Sequence, residues 1–185
     1  MSSRLEKLLR IWRRWHASSP RVRIGPDCAL ETGVLLRPGM REGSPGRVSI
    51  GAGCTLSQGA VLDSWGGSIE LGARVFVGPC AVVYGQGGVE IGDDCLLSMH
   101  CRVLSSEHAL PPLDRRIRWE PDILKPTRLG RDVWLGAGAT VLGGVVLGDG
   151  CVIGAGAVVT RDLPPGAIAV GIPARVVGHR PAARV

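Results

Sequence analysis

The chain of 185 residues is 45% apolar yet holds a single Phe and a single Tyr, so one domain with an aliphatic core is expected. Its 28 glycines, roughly twice ordinary usage and without a collagen period, point to a fold made of many turns. The net charge of +6 resides entirely in residues 1–23, and the remaining 162 residues balance 15 basic against 15 acidic groups, so the high pI implies no nucleic-acid groove on the body.

The first predicted element lies within residues 1–20. Leu5, Leu8, Trp12 and Trp15 fall at helical spacing with basic residues around the other face, which predicts a short amphipathic helix capped by Ser2 or Ser3. Three uses are open. Residues 2–17 can cap the end of the domain, lie on an anionic membrane surface, or bind nucleic acid, the last being weakest because this helix is the only basic feature. No apolar run follows the basic start, and no stretch reaches the ~18 apolar residues of a span. The expected location is cytoplasmic, with membrane association left open. The six Cys form no CxxC pair, in keeping with that location.

From residue 21 a six-residue period takes over. Ile, Leu or Val recur as Ile24, Leu30, Leu36; Ile50, Leu56, Leu62; Leu71, Val77, Val83; Ile91, Leu97, Val103; and Leu129, Leu135, Val141, Leu147, Ile153, Val159. Nine of these 18 positions are followed directly by Gly, read here as relief for the backbone at a corner. The fifth position of each unit is small or β-branched, and five of the six Cys (28, 54, 95, 101, 151) sit there, which makes them core residues rather than metal or redox groups. Cys80, at a fourth position, is harder to assign. A period of six fits neither a helix stripe nor a heptad; it fits a short strand plus a corner, three of which close a triangular turn of a parallel β-helix. The domain is predicted over 21–178, with a tail at 179–185.

The register slips between blocks. Ile24 to Ile50 spans 26 residues, about eight more than one turn, and two smaller slips follow. Ile91 to Leu129 spans 38, so an excursion occupies 106–127, SEHALPPLDRRIRWEPDILKPT, predicted as a long structureless functional loop. The GQGG at 85–88 is read as a corner, because no Lys-Ser/Thr and no helix follow it.

The run 129–177, with VWLGAGATVLGGV, VIGAGAVVTRDLPP and AVGIPARVV, resembles the C-terminal signature of the hexapeptide-repeat acetyltransferases, nearest the galactoside, maltose and polysaccharide O-acetyltransferase branch. The likeness extends over about residues 24–177. It implies a left-handed coil, a homotrimer with each active site between subunits, acetyl-CoA as co-substrate lying beside the coils, and a loop His as general base. His108 matches that base: an acceptor hydroxyl must lose its proton as it attacks a thioester, and an imidazole can take it at neutral pH. The bland alternative is a solvated loop His. No acid partner is identifiable; Glu107 is expected to point elsewhere, and Asp114 is possible. By the same motifs Ala137 and Ala155 border the pantetheine arm, a backbone N–H near Ala137 can stabilise the oxyanion, and Thr160 and Arg161 match the pair near the adenosine end. Arg175 is a second phosphate candidate, and Trp134 either walls the pocket or packs between subunits. His100 is read as a surface or interface residue, with substrate contact as the alternative. His16 and His179 lie outside the repeats.

Three departures weaken a free-sugar acceptor. Gly78 and Cys80 stand where sugar-binding members carry Asn, Ala109 follows the His in place of Pro, and the N-terminal domain is reduced to one short helix. The expected function is acetyl-CoA-dependent O-acetylation of a sugar or polysaccharide-precursor hydroxyl. N-acetylation of an amino sugar and a non-catalytic scaffold are the alternatives. No metal is expected, since a carbonic-anhydrase-like member needs three His and the body offers His100 and His108.

Overall fold

Each six-residue unit forms one strand of two to four residues, and three strands complete a turn. In the computed structural model, which describes residues 21–181, these turns stack as a left-handed parallel β-helix of six coils. The first face stacks Val22–Ile24, Arg47–Ile50, Ser68–Leu71, Val89–Ile91, Thr127–Leu129 and Val146–Leu147. The second face stacks Ala29–Leu30, Thr55–Leu56, Phe76–Val77, Leu96–Leu97, Trp134–Leu135 and Val152–Ile153. The third stacks Leu35–Arg37, Val61–Asp63, Val82–Tyr84, Arg102–Leu104, Thr140–Val141 and Val158–Val159.

All 18 periodic positions pair with their counterparts one coil away, Ile24 on Ile50 on Leu71 on Ile91 on Leu129 on Leu147 being the pile of the first face. Inside, Leu56, Leu62, Leu97, Leu135 and Ile153 are fully buried. Each such side chain contributes ~1.5–3 kcal/mol of burial, so these piles dominate stability. The small fifth positions fill the angles between faces, Cys54, Cys95, Cys101 and Cys151 among them, each thiol donating to a carbonyl of the next coil. Their burial raises all four thiol pKa values, that of Cys95 to about 11.

Two positions divide the work at the corners. At the corners between the first and second faces and between the second and third, the fourth residue of the unit turns the chain in the left-handed region: Asp27, Arg74, Cys80, Asp94, His100 and Asp132 do so with φ of 55–61°, and Gly at the rest of these corners. The Gly directly after the aliphatic residue is not in that region, which corrects the sequence-based reading of its role. It is required by close approach: a Cβ at Gly51 would collide with the Gly72 carbonyl, and one at Gly92 would lie 2.7 Å from Gly130 backbone.

The predicted N-terminal helix lies outside the described residues. The first coil leaves Ile24, Cys28, Val34 and Leu36 only partly buried against the core. At the other end Ala167–Val170 adds a seventh strand to the second face, and Arg175–His179 folds back antiparallel on it. His179 thus belongs to a strand rather than to the predicted tail, and Arg180 pairs with Asp132 at 2.6 Å.

All register slips fall on one edge of the prism, between the third and first faces. There the chain inserts an antiparallel ribbon of Met40–Arg41 with Ser44–Pro45, then the corners 64–67 and 85–88, then the excursion after Ser105. The other two edges run with uniform corners. In solenoids, insertions gathered on one side often form the binding face.

Candidate active site

Ser105 is where the fourth coil leaves the prism. Its Oγ donates to Tyr84 O (2.7 Å) and accepts from Gly87 N–H (3.0 Å), and its carbonyl accepts Lys125 N–H (2.8 Å). Buried Thr127 resumes the coil; its Oγ1 donates to Leu104 O (2.7 Å) and accepts Gly144 N–H (3.0 Å). Between these clamps Ser106–His108 pairs antiparallel with Asp122–Leu124, and Ile117–Trp119 forms a 3₁₀ turn near the tip. The expected structureless loop is therefore a ribbon. Pro111, Pro112, Pro121 and Pro126 all lie outside the paired residues, so both arms keep the N–H groups a ladder needs.

The register sets His108 opposite Asp122. His108 Nδ1 lies 2.7 Å from Asp122 Oδ1, and the other carboxylate oxygen accepts Gln86 Nε2–H at 2.5 Å. A carboxylate only accepts, so the ring carries its hydrogen on Nδ1 and leaves Nε2 as the basic nitrogen. His108 is two-thirds exposed, Asp122 about one-third and Gln86 buried, so the chain of contacts runs from the coil outward to solvent. Glu107 points to the other side of the ribbon and pairs with Lys125 Nζ at 2.5 Å, as expected for neighbours on a strand. Asp114 is not the partner; Asp122 is, and sequence periodicity had no means of finding it. Tyr84 faces the same corner. Burial, then the charges of Asp63 and Asp122, raise its phenol pKa.

The remaining candidates divide between edges. Thr160 and Arg161 are exposed on the edge that carries His108, two coils further on, and Arg161 makes no ion pair among the described residues. Trp134 is half exposed on the second face, its Nε1 donating to Ser98 Oγ at 3.1 Å. It continues an outward row with Phe76, Leu96 and Val152. Ala137 and Ala155 are exposed at the edge between the second and third faces, one coil apart, with Gly156 N–H donating to Ala137 O at 2.8 Å. Exposed Arg175 opens the last strand, beside Ala174, whose N–H donates to Val158 O. Within one chain His108 and Arg161 thus share an edge, and Trp134, Ala137 and Ala155 lie elsewhere. His100 and Cys80 are exposed corner residues on the edge of Ala137, without an acid partner among the described residues. Among the described residues no group of three or more His, Cys, Asp or Glu could hold a metal, and no helix is long and apolar enough to cross a membrane.

Two family models match the chain: the bacterial transferase hexapeptide over residues 126–161 and the hexapeptide repeat of succinyl-transferase over 69–100. Nodulation protein L of Rhizobium meliloti is 35% identical over 152 residues, covering 82% of this chain and 78% of that one. Galactoside O-acetyltransferase of Escherichia coli is 31% identical over 118 residues, 57% of its length, and a Mycobacterium tuberculosis protein named as an acetyltransferase is 37% identical over 114 residues, 38% of its length. The chain therefore spans little more than half the length of one of these relatives and well under half of another. Among solved structures, an N-acyltransferase from Bacillus cereus, in complex with dTDP and 3-hydroxybutyryl-CoA, superposes with a TM-score of 0.71 at 22% identity, covering 86% of this chain and 83% of that one. A hexapeptide-repeat acetyltransferase from Vibrio cholerae complexed with acetyl-CoA gives 0.62 at 22% identity, over 95% and 78%. At that identity these two establish the common fold. The match along most of its length to nodulation protein L, together with the repeat models, establishes the rest: the chain belongs to the hexapeptide-repeat acetyltransferase family.

Proposed function

We propose that the protein transfers an acetyl group from acetyl-CoA to a hydroxyl of a sugar or polysaccharide precursor, with His108 as general base. The observation that carries this reading is the His108–Asp122 contact at the root of the ribbon. Asp122 fixes the ring and its tautomer, so that Nε2 takes the acceptor proton as the oxygen attacks, and the developing imidazolium is balanced by the carboxylate. Acetyl-CoA supplies the thioester, whose carbonyl carbon gains the acceptor oxygen and loses the C–S bond. His108 then returns the proton to the departing thiolate, which closes the balance.

The residues present fit such a co-substrate. A Cβ added at Gly138 or Gly156 would meet nothing within 4 Å, so the strip beside Ala137 and Ala155 is open to a slender chain. Arg161 and Arg175, free of carboxylate partners among the described residues, provide cations for phosphates. His108 and this strip lie on different edges of one chain. The reading therefore includes a homotrimer, in which one subunit's His edge would face its neighbour's alanine strip. The outward row Phe76, Leu96, Trp134 and Val152 is the apolar surface for that contact. The test is a panel of glycan acceptors with acetyl-CoA, reading free thiol, with hydroxylamine treatment of the product. An ester is stripped, as O-acetylation requires; an amide that survives would move the activity to an amine, and silence across the panel would count against the reading.

A further inference from the structure

The transfer chemistry uses His108 and Asp122 and leaves Gln86 without a task. Its surroundings are unusual for a corner. The interval from Leu71 to Ile91 exceeds one turn by two residues, and the excess falls at 85–88, beneath the ribbon. Gly87 is pressed so closely against the ribbon's root that a Cβ there would collide with the Ser105 carbonyl and lie 2.7 Å from Lys125 N. Gly85 is pressed as closely on Ile69. The side chain between them is 4% exposed, and its amide reaches out of the third coil to Asp122 Oδ2 at 2.5 Å. This is a side-chain tie from the rigid coil directly to the carboxylate on the ribbon's second arm.

We propose that Gln86 is a positioning residue for the acetyl-transfer reaction: it locks the Asp122 carboxylate so that its other oxygen is held on His108 Nδ1–H. The inference rests on the general-base reading of His108. Two donors, Gln86 Nε2–H and His108 Nδ1–H, converge on the two oxygens of one carboxylate, so the three side chains form a line in which each fixes the next. The acidic and basic groups around Asp122 are His108 across the ribbon, Tyr84 from the third face and, on the ribbon's opposite side, the Glu107–Lys125 pair; Asp63 lies beyond Tyr84. Gln86 does not titrate, so its donation to Asp122 does not itself depend on pH.

The experiment follows kcat and the KM for acetyl-CoA against pH in the full-length protein. Gln86→Leu is expected to lower kcat about tenfold with KM unchanged, the pattern of a contact that matters in the transition state. Gln86→Glu, nearly isosteric, tests the orientation itself. When protonated, the substituted carboxyl can donate to Asp122 as the native amide does; when ionised, it repels Asp122. The ratio of variant to native kcat should therefore rise as pH falls. In an Asp122→Asn background, adding Gln86→Leu should leave kcat unchanged or raise it, because it removes the donor that competes with His108 for the one remaining oxygen. A pH-independent ratio for Gln86→Glu, or losses that multiply in the double variant, would overturn the proposal. If His108→Ala keeps full activity, the general-base reading fails; if His108→Ala is inactive while both Gln86 variants run at the native rate, only this inference fails.

Discussion

Replacing Asp122 by Asn removes one charge and almost no volume, and the structure specifies the damage. Two N–H donors point at this carboxylate, His108 Nδ1–H at 2.7 Å and Gln86 Nε2–H at 2.5 Å. An Asn offers one oxygen. If that oxygen serves Gln86, which is the more deeply buried of the two, the amide NH₂ faces the imidazole, and the ring must turn its hydrogen to Nε2. That tautomer cannot accept a proton where the acceptor hydroxyl lies. The alternative, His108 satisfied and Gln86 donor against donor, leaves a buried N–H without an acceptor at ~1–3 kcal/mol. The first outcome forfeits the base, worth ~10²–10⁴ in rate, and Gln86's burial favours it. A drop in kcat of about 10² or more is therefore expected, with the KM for acetyl-CoA within about threefold and an unchanged melting temperature, since Asp122 is partly exposed and contributes little to the core. Acetyl transfer measured by thiol release, alongside thermal unfolding, reads all three. Native kcat in this variant would refute the claim that Asp122 sets the ring.

Arg161→Ala should raise the KM for acetyl-CoA more than it lowers kcat, because a phosphate contact remote from the thioester serves ground and transition states alike; a pure kcat loss in the same assay would place Arg161 at the chemistry. The mass in solution should be about three times 19.4 kDa, and Leu96→Asp, which puts a charge into the outward apolar row, should shift it to the monomer by light scattering; a native protein that is monomeric and active would remove the two-subunit site. Stability should decline at alkaline pH. The buried Cys95 thiol has its pKa raised from 9.0 to about 11, so its contribution is full below pH 9 and is lost as pH climbs through 11. Cys54, Cys101, Cys151 and Tyr84 shift in the same direction. Cys95→Ala should flatten the fall in melting temperature across that window, and an identical slope in the variant would contradict this linkage.

The coil was legible because its core obeys one short period. Each interior position repeats after six residues, and a one-residue error would turn a Leu outward, so reading the aliphatic spacing amounted to reading the register of all three faces. The five fifth-position thiols followed from the same rule. The glycines show a pattern read correctly for the wrong reason: Gly51 and Gly92 lie where predicted, but the contact that demands them comes from a coil 18 or more residues away and is invisible locally. The site was harder. His108 was singled out because it stands where the period stops and matches the loop His of the family that the repeats resemble. Asp122 could not, since its ribbon has exposed residues on both arms and no alternation to betray a strand. Gln86 was hidden for a related reason: GQGG signals a corner, and nothing in it announces that the extra residues aim an amide at a ribbon 36 residues further along.

Thiol release from acetyl-CoA decides the claim that the protein transfers acetyl with His108 as the base. The native protein and His108→Ala are compared at pH 7 to 8 over a panel of sugar and polysaccharide-precursor acceptors. Acceptor-dependent release is expected from the native protein, and in the variant a kcat lower by ~10²–10⁴ with the KM for acetyl-CoA preserved. Equal turnover by the two proteins, or none by the native protein with any acceptor, would contradict the claim.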